Sequence, residues 1–184
     1  MRHPVVNSTQ IISDERVLNG RGIWAKVADR ERAIVARHLS LLPVSVGALA
    51  KDLGVKVRAS TLPAGTSGEI RPDPENRDSY LIRVSRHEVK HRQRFTVAHE
   101  IAHYLLHRDL IENGIVDNVL YRSKLSNAIE AEANRLAAEI IMPTTALKHW
   151  LSQVFPNGVT KSDVKYIAKF LKVSEQAASI RLGV

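Results

Sequence analysis

The chain contains no cysteine, which excludes a thiolate zinc site, a thiol redox centre and a disulfide framework, and fits a reducing cytoplasm. It has no apolar run long enough for a signal peptide or a membrane span, so the expectation is a soluble, cytoplasmic protein with no membrane partner. Internal repeats and low-complexity tracts are also missing. Acidic residues are the minority: 27 Lys and Arg against 19 Asp and Glu give a formal net charge of +8. That excess suggests an anionic partner or surface, although much of it lies in the Arg/Lys run at 83–94, which a solvated basic face explains equally well. What remains is ample for folding. With 184 residues and 44% hydrophobic content, the chain can bury one real core, with small flanking subdomains, and needs no cross-link to do so.

One stretch organises the rest: Phe95-Thr96-Val97-Ala98-His99-Glu100-Ile101-Ala102-His103-Tyr104-Leu105-Leu106-His107. At helical periodicity His99, Glu100 and His103 share one stripe, while Phe95, Val97, Ala98, Ile101, Ala102 and Leu105 cover most of the remaining circumference. A helix apolar nearly all round is a buried helix. Its polar stripe would be desolvated at a cost of about 2–7 kcal/mol for each unpartnered group, and a divalent metal relieves that cost. Histidines one turn apart can both reach an ion at about 2.0–2.1 Å and leave two tetrahedral positions open. A bound water whose pKa the ion lowers to roughly 7 can then give its proton to the carboxylate of Glu100.

The same pattern occurs earlier as His87-Glu88-Val89-Lys90-His91. That copy lies among Arg83, Arg86, Lys90, Arg92 and Arg94, whose charges oppose a further cation. It also follows the strand-like Tyr80-Leu81-Ile82-Arg83-Val84 too closely to begin a buried helix. The second copy is therefore the expected site. A core helix whose histidines bond to backbone is the bland alternative.

Two histidines need a third protein ligand. A metzincin extension would place Gly at 106 and a ligand at 109, where this chain has Leu106 and Asp109. His107 is on the right stripe but about 12 Å along the axis from His99, too far to share an ion, and reads as a helix-end histidine. A second amphipathic helix, Ser126 to Met142, offers more. Ile129, Ala133, Leu136, Ala137, Ile140 and Ile141 form its apolar face, with Glu130 and Asn134 on the edge. Glu132, Arg135 and Glu139 fall on the opposite, solvent side. Glu130 is then the third ligand, and Asn134, one turn on, is placed to orient a ligating histidine from behind.

Elsewhere the chain reads in order. Met1 to about Ser13 is poorly patterned. A helix over Asp29–Leu39 stops at Pro43, and Ser45 caps a second over Val46–Leu53 that Gly54 ends. Val55–Ala59, Gly68–Ile70 and Tyr80–Val84 read as a small antiparallel sheet of about three strands, with 71–79 as a loop. Such a sheet either pairs with an extended peptide or simply covers the helices. Arg108 to Lys124 reads as a loop bordering the site, and Tyr121 within it is assigned no role. Thr144 caps Thr145–Val154, closed by Pro156-Asn157-Gly158. Thr160 with Asp163 starts a helix to Leu171, and Ser174 starts another to Leu182. These last two look like a helix-turn-helix. The N-terminal end of the second offers Glu175, Gln176 and alanines rather than base-reading side chains, so a packing hairpin is the favoured reading over direct nucleic-acid binding.

Arg92-Gln93-Arg94-Phe95-Thr96-Val97-Ala98-His99-Glu100-Ile101-Ala102-His103-Tyr104-Leu105-Leu106-His107, followed by Glu130 through Met142-Pro143, resembles the ImmA/IrrE family of metallo-endopeptidases. The resemblance runs from about Ser67 to Pro143 and weakly to the C-terminus. Leu136 departs from it, standing where the family often has Phe. The resemblance implies zinc bound by His99, His103 and Glu130, Glu100 as general base, and Asn134 behind a ligand. It also implies a protein substrate, since family members cleave helix-turn-helix transcriptional repressors. The expectation is an α+β zincin-like domain: residues 1–42 an N-terminal, partly helical segment, 43–143 the metallopeptidase core with a small antiparallel sheet packed on the metal helix, and 144–184 a helical tail. Manganese or iron also suits two imidazoles and a carboxylate. The competing class is a DNA-binding regulator that uses the tail and the basic run, with a structural or vestigial metal site. An open coordination position argues for the enzyme, because structural zinc is normally closed by four protein ligands.

Overall fold

The computed structural model describes residues 20–112 and 124–184. The expectations for Met1 to Ser13 and for the loop around Tyr121 fall outside these residues. In chain order the elements are α1 (Gly20–Trp24), α2 (Asp29–Leu39), α3 (Val46–Asp52), β1 (Val55–Ser60), β2 (Gly68–Asp73), β3 (Asn76–Ser85), α4 (Lys90–Leu106), α5 (Arg108–Glu112), α6 (Lys124–Ile141), α7 (Thr144–Val154), α8 (Val164–Leu171) and α9 (Glu175–Leu182). The fold is α+β. None of the described helices is long and apolar enough to cross a membrane.

Between α3 and β1 the chain turns at Gly54, whose φ of 77° lies in the left-handed region that a Cβ disfavours. The sheet has the order β1-β3-β2. β2 and β3 form an antiparallel hairpin with Gly68 opposite Val84 and Ile70 opposite Ile82. β1 pairs parallel with β3, Val55 opposite Tyr80 and Val57 opposite Ile82. The expected antiparallel sheet is thus a mixed one. The correction has a simple cause: two chain reversals return β3 to the direction of β1, and β3 then inserts between the other two strands instead of continuing outward. The segment 71–79 is also less of a loop than expected, because both hairpin strands run on through it to a tight turn.

Val55, Ile70, Ile82 and Val84 share a buried sheet face that joins the main core. α4 lies between that sheet and α6, and packs most extensively on α6. Its Val97, Ala98, Ile101, Ala102 and Tyr104 are all buried, so the helix is enclosed almost all round as its composition requires. α6 contributes Ala133, Leu136, Ala137, Ile140 and Ile141 from one face, the 3.6-residue stripe read from sequence.

The tail packs onto the same core through Leu147, Leu151, Ile167, Leu171, Ala178 and Leu182. Trp150 stacks on Phe170 with ring centroids 4.3 Å apart, beside Phe155 at 5.9 Å. Thr160 and Asp163 form a reciprocal capping box before α8, and the Ser174 hydroxyl accepts from the Ala177 N–H at 3.1 Å to start α9.

Glu139 was expected at the solvent face of α6 but is buried. Its carboxylate accepts from the backbone N–H and hydroxyl of Thr144, each at 2.8 Å, and pairs with Arg181 of α9. The helix-wheel assignment failed because α7 and α9 cover that face, and only the tertiary fold brings Arg181 there.

Candidate metal centre

His99 and His103 lie one turn apart on α4 because i and i+4 share a helix face. Both side chains are close to nine-tenths buried. Their Nε2 atoms converge to 3.0 Å. Glu130 reaches the same point from α6, with Oε2 3.2 Å from His99 Nε2 and Oε1 3.3 Å from His103 Nε2. Ligands at 2.0–2.1 Å around a tetrahedral ion stand about 3.3 Å from one another, so this donor set fits a divalent metal. Among the described residues these three form the one group of histidine and carboxylate donors close enough to hold an ion. Hydrogen bonds from His103 and then His99, working against partial burial, hold the Glu130 carboxyl below the ordinary carboxylate range, so it is an anion at neutral pH.

The far sides of both imidazoles are occupied. Asn134 Oδ1 lies 3.1 Å from His99 Nδ1, one turn along α6 from Glu130. It accepts from Nδ1–H and leaves the Nε2 lone pair facing the donor cluster. His103 Nδ1 lies 3.2 Å from His107 Nδ1. His107 Nε2 in turn lies 3.4 Å from Glu132 Oε2, and Glu132 pairs with Lys26 of the α1–α2 connection. One tautomer set satisfies the whole chain: His103 donates to His107, and His107 donates to Glu132. Burial, with His103 beside it, pushes the His107 imidazole below the usual histidine range, which suits a neutral ring that accepts at Nδ1.

This relay was missed in the sequence. His107 is the C-terminal cap of α4, the helix end expected for it, and carries this contact in addition, whereas Glu132 is not on a free solvent face: its side chain is 24% exposed. The i, i+4 spacing of His103 and His107 is the signal present in the sequence, but Glu132 and Lys26, which complete the relay, come from distant parts of the chain.

Glu100 is 1% exposed and sits beside the cluster on the same helix. The backbone of β2 approaches it closely. A methyl group placed on Gly68 would lie 3.3 Å from Glu100 Oε1 and 3.1 Å from the Arg83 carbonyl, and would collide with Thr96 Cγ2. Gly68 is therefore needed for close approach rather than for an unusual φ.

The earlier copy of the motif behaves differently. His87 precedes α4 and His91 occupies its first turn, so the two are not stacked on one helix, and both are exposed. Glu88 between them accepts from Ser67 Oγ at 2.7 Å and Arg92 Nε at 3.0 Å, which ties the loop before β2 to the start of α4.

A family model for peptidases, described as the IrrE N-terminal-like domain, matches residues 50–183. The chain belongs to the ImmA/IrrE family. The radiation response metalloprotease IrrE of Deinococcus radiodurans is 32% identical over 110 residues, a match that covers 60% of this chain and 31% of that protein. The chain thus matches about a third of the relative's length. Among solved structures, a transcriptional regulator of Mycobacterium tuberculosis superposes with a TM-score of 0.52 at 16% identity, over 96% of this chain and 51% of that one. That likeness concerns the fold alone.

His99, Glu100, Glu130 and Asn134 all line one cleft, together with Gly65 to Gly68 before and at the start of β2. The arrangement combines three donors spaced for a tetrahedral ion, a buried carboxylate next to them and a cleft that both share. With an ion held by the three donors, such an arrangement would have the chemistry to polarise a carbonyl and move a proton at one point.

Proposed function

We propose that the chain is a metal-dependent endopeptidase in which His99, His103 and Glu130 hold the ion and Glu100 is the general base. The observation that carries this reading is the convergence of the three donors to 3.0–3.3 Å beside the buried Glu100, at the wall of an open cleft. The bound ion, zinc in the first instance with manganese and iron also suited to these donors, supplies Lewis-acid polarisation of a carbonyl and acidification of water. Glu100 takes the proton from the attacking water on a carboxylate oxygen and delivers it to the leaving amine. Asn134 fixes the ring plane and tautomer of His99, and His107 does the same for His103.

The substrate is a polypeptide held in extended form. Among the described residues β2 pairs only with β3, and its first residue lies against Glu100. A chain laid along the second edge of β2 would pass over the donors with backbone hydrogen bonds and little side-chain readout. On the family resemblance, that polypeptide is a helix-turn-helix transcriptional repressor met in the cytoplasm. Residues 43–143 are the catalytic unit in this reading, with 144–184 as a tail that braces it. The DNA-binding alternative loses support from Arg181, which is committed to Glu139 and the Met142 carbonyl instead of facing a phosphate.

The test is incubation of metal-loaded protein with a helix-turn-helix repressor encoded beside this gene, followed by gel and mass spectrometry. One defined cut is expected. Intact repressor, combined with DNA binding that weakens steeply with salt and with neutralisation of Lys169 and Lys172, would favour the DNA-binding reading instead.

A further inference from the structure

The cleft does not end at the metal ligands. It occupies about 1160 Å³ and continues along α4 and α6 as far as α9, larger than the roughly 300–1,000 Å³ of a small-molecule site. Beyond His99 and Glu130 its wall carries apolar side chains, Ala138 of α6, Met142 just past its end and Val173 and Ala177 of the tail, with Arg135, Gln176 and Arg181 beside them. Two bulky side chains stand out into it. Phe95, one turn before His99, is 38% exposed, and Ile180 of α9 is 71% exposed. Ile180 has no role in holding α9 down, because Ala178 and Leu182 form the buried face of that helix.

We infer that α9 is a recognition wall of the peptidase site. A bulky apolar side chain of the polypeptide substrate, a few residues from the bond that is cut, seats against Phe95 and Ile180. The inference rests on the peptidase reading and adds to it a specificity the donor cluster cannot provide. The occupant follows from continuity: Phe95, Ala177 and Ile180 line the same cleft as His99, Glu100 and Glu130, so a polypeptide with a peptide bond at Glu100 has flanking residues in the space that these side chains border. An exposed isoleucine on a concave surface gains most when an apolar partner covers it. The helix-turn-helix-like hairpin is thereby given a use inside the enzyme, where its small residues Ser174 and Ala177 leave room for a side chain from outside.

The experiment uses the full chain loaded with zinc and a proteome-derived library of short peptides, with cut sites read by mass spectrometry. Wild-type cuts should share Leu, Ile, Met or Phe at one fixed position relative to the broken bond. Ile180→Asp should abolish that preference and lower kcat/KM on the best peptide about tenfold or more, with zinc content and Tm unchanged. Phe95→Ala should weaken the preference at the same position. Cuts without an apolar position, or a preference that survives both substitutions, would overturn this inference and leave the peptidase reading standing. A library left intact by zinc-loaded protein would overturn both.

Discussion

Replacing Arg181 by Met separates a tail that is part of the folded enzyme from one that presents a basic helix to DNA. The Arg181 side chain is 10% exposed and that of Glu139 12%. Its guanidinium donates to the Met142 carbonyl at 2.6 Å and to Thr144 Oγ1 at 2.8 Å, as well as to Glu139. Removing one member of such a pair leaves a buried charge and costs about 3–5 kcal/mol. Glu139 would keep its two hydrogen bonds from Thr144, which places the loss near the lower end, about 3 kcal/mol. For a chain of this size each kcal/mol lowers Tm by about 2–4 °C, so a drop of about 6–12 °C is expected. Calorimetry or circular dichroism melts would measure it, with the exposed Lys169→Gln as a control that should shift by no more than about 1–2 °C. Arg181→Met combined with Glu139→Leu should recover part of the loss, because neither charge is then left buried alone. An Arg181→Met protein that melts with the wild type, or a double variant whose losses simply add, would refute the reasoning.

Metal affinity, measured by competition with a chromogenic chelator, should fall at least tenfold in Glu130→Gln and be lost in His99→Ala or His103→Ala. It should be untouched in His87→Ala, and His107→Phe should cost about tenfold through the loosened His103 ring. Gly68→Ala should destabilise by about 1–3 kcal/mol in urea melts through the overpacked contact with Thr96, and Thr96→Ser, which removes the clashing methyl, should restore part of it. On the acid side, the Lys56 ammonium 2.7 Å from Asp73, with the Glu75 N–H, holds the Asp73 carboxyl below its ordinary range. Its stabilising contribution is complete above the unfolded carboxyl pKa and is lost as pH falls through the lowered folded value. Urea midpoints from pH 7 to pH 2 should therefore fall less steeply below about pH 4 in Asp73→Asn than in wild type.

The convergence of His99 and His103 on one face of α4 was legible because its requirements are local. Two histidines at i and i+4 in an otherwise apolar helix leave few alternatives, and the edge position of Glu130 follows from the same periodicity. The limits of α2 and α9 were equally readable from Pro43, Ser174 and the apolar spacing. What escaped depends on contacts distant in sequence. Glu139 and Glu132 sit at polar positions of the α6 wheel, and only the arrival of Arg181 at the first, and of His107 and Lys26 at the second, gives them partners. The parallel pairing of β1 with β3 was hidden for a related reason: alternation identifies strands but does not order them. α5 was read as loop because a five-residue helix is too short for periodicity to register.

The most direct test of the whole account is the ratio of cleavage rates of wild type and Glu100→Gln on one repressor, with metal content measured in the same samples. An amide cannot accept the proton, so the rate should fall by about 10²–10⁴ while each chain still carries one ion and melts as the wild type does. A Glu100→Gln protein that keeps its ion and still cuts at the wild-type rate would contradict the assignment of Glu100 as the base.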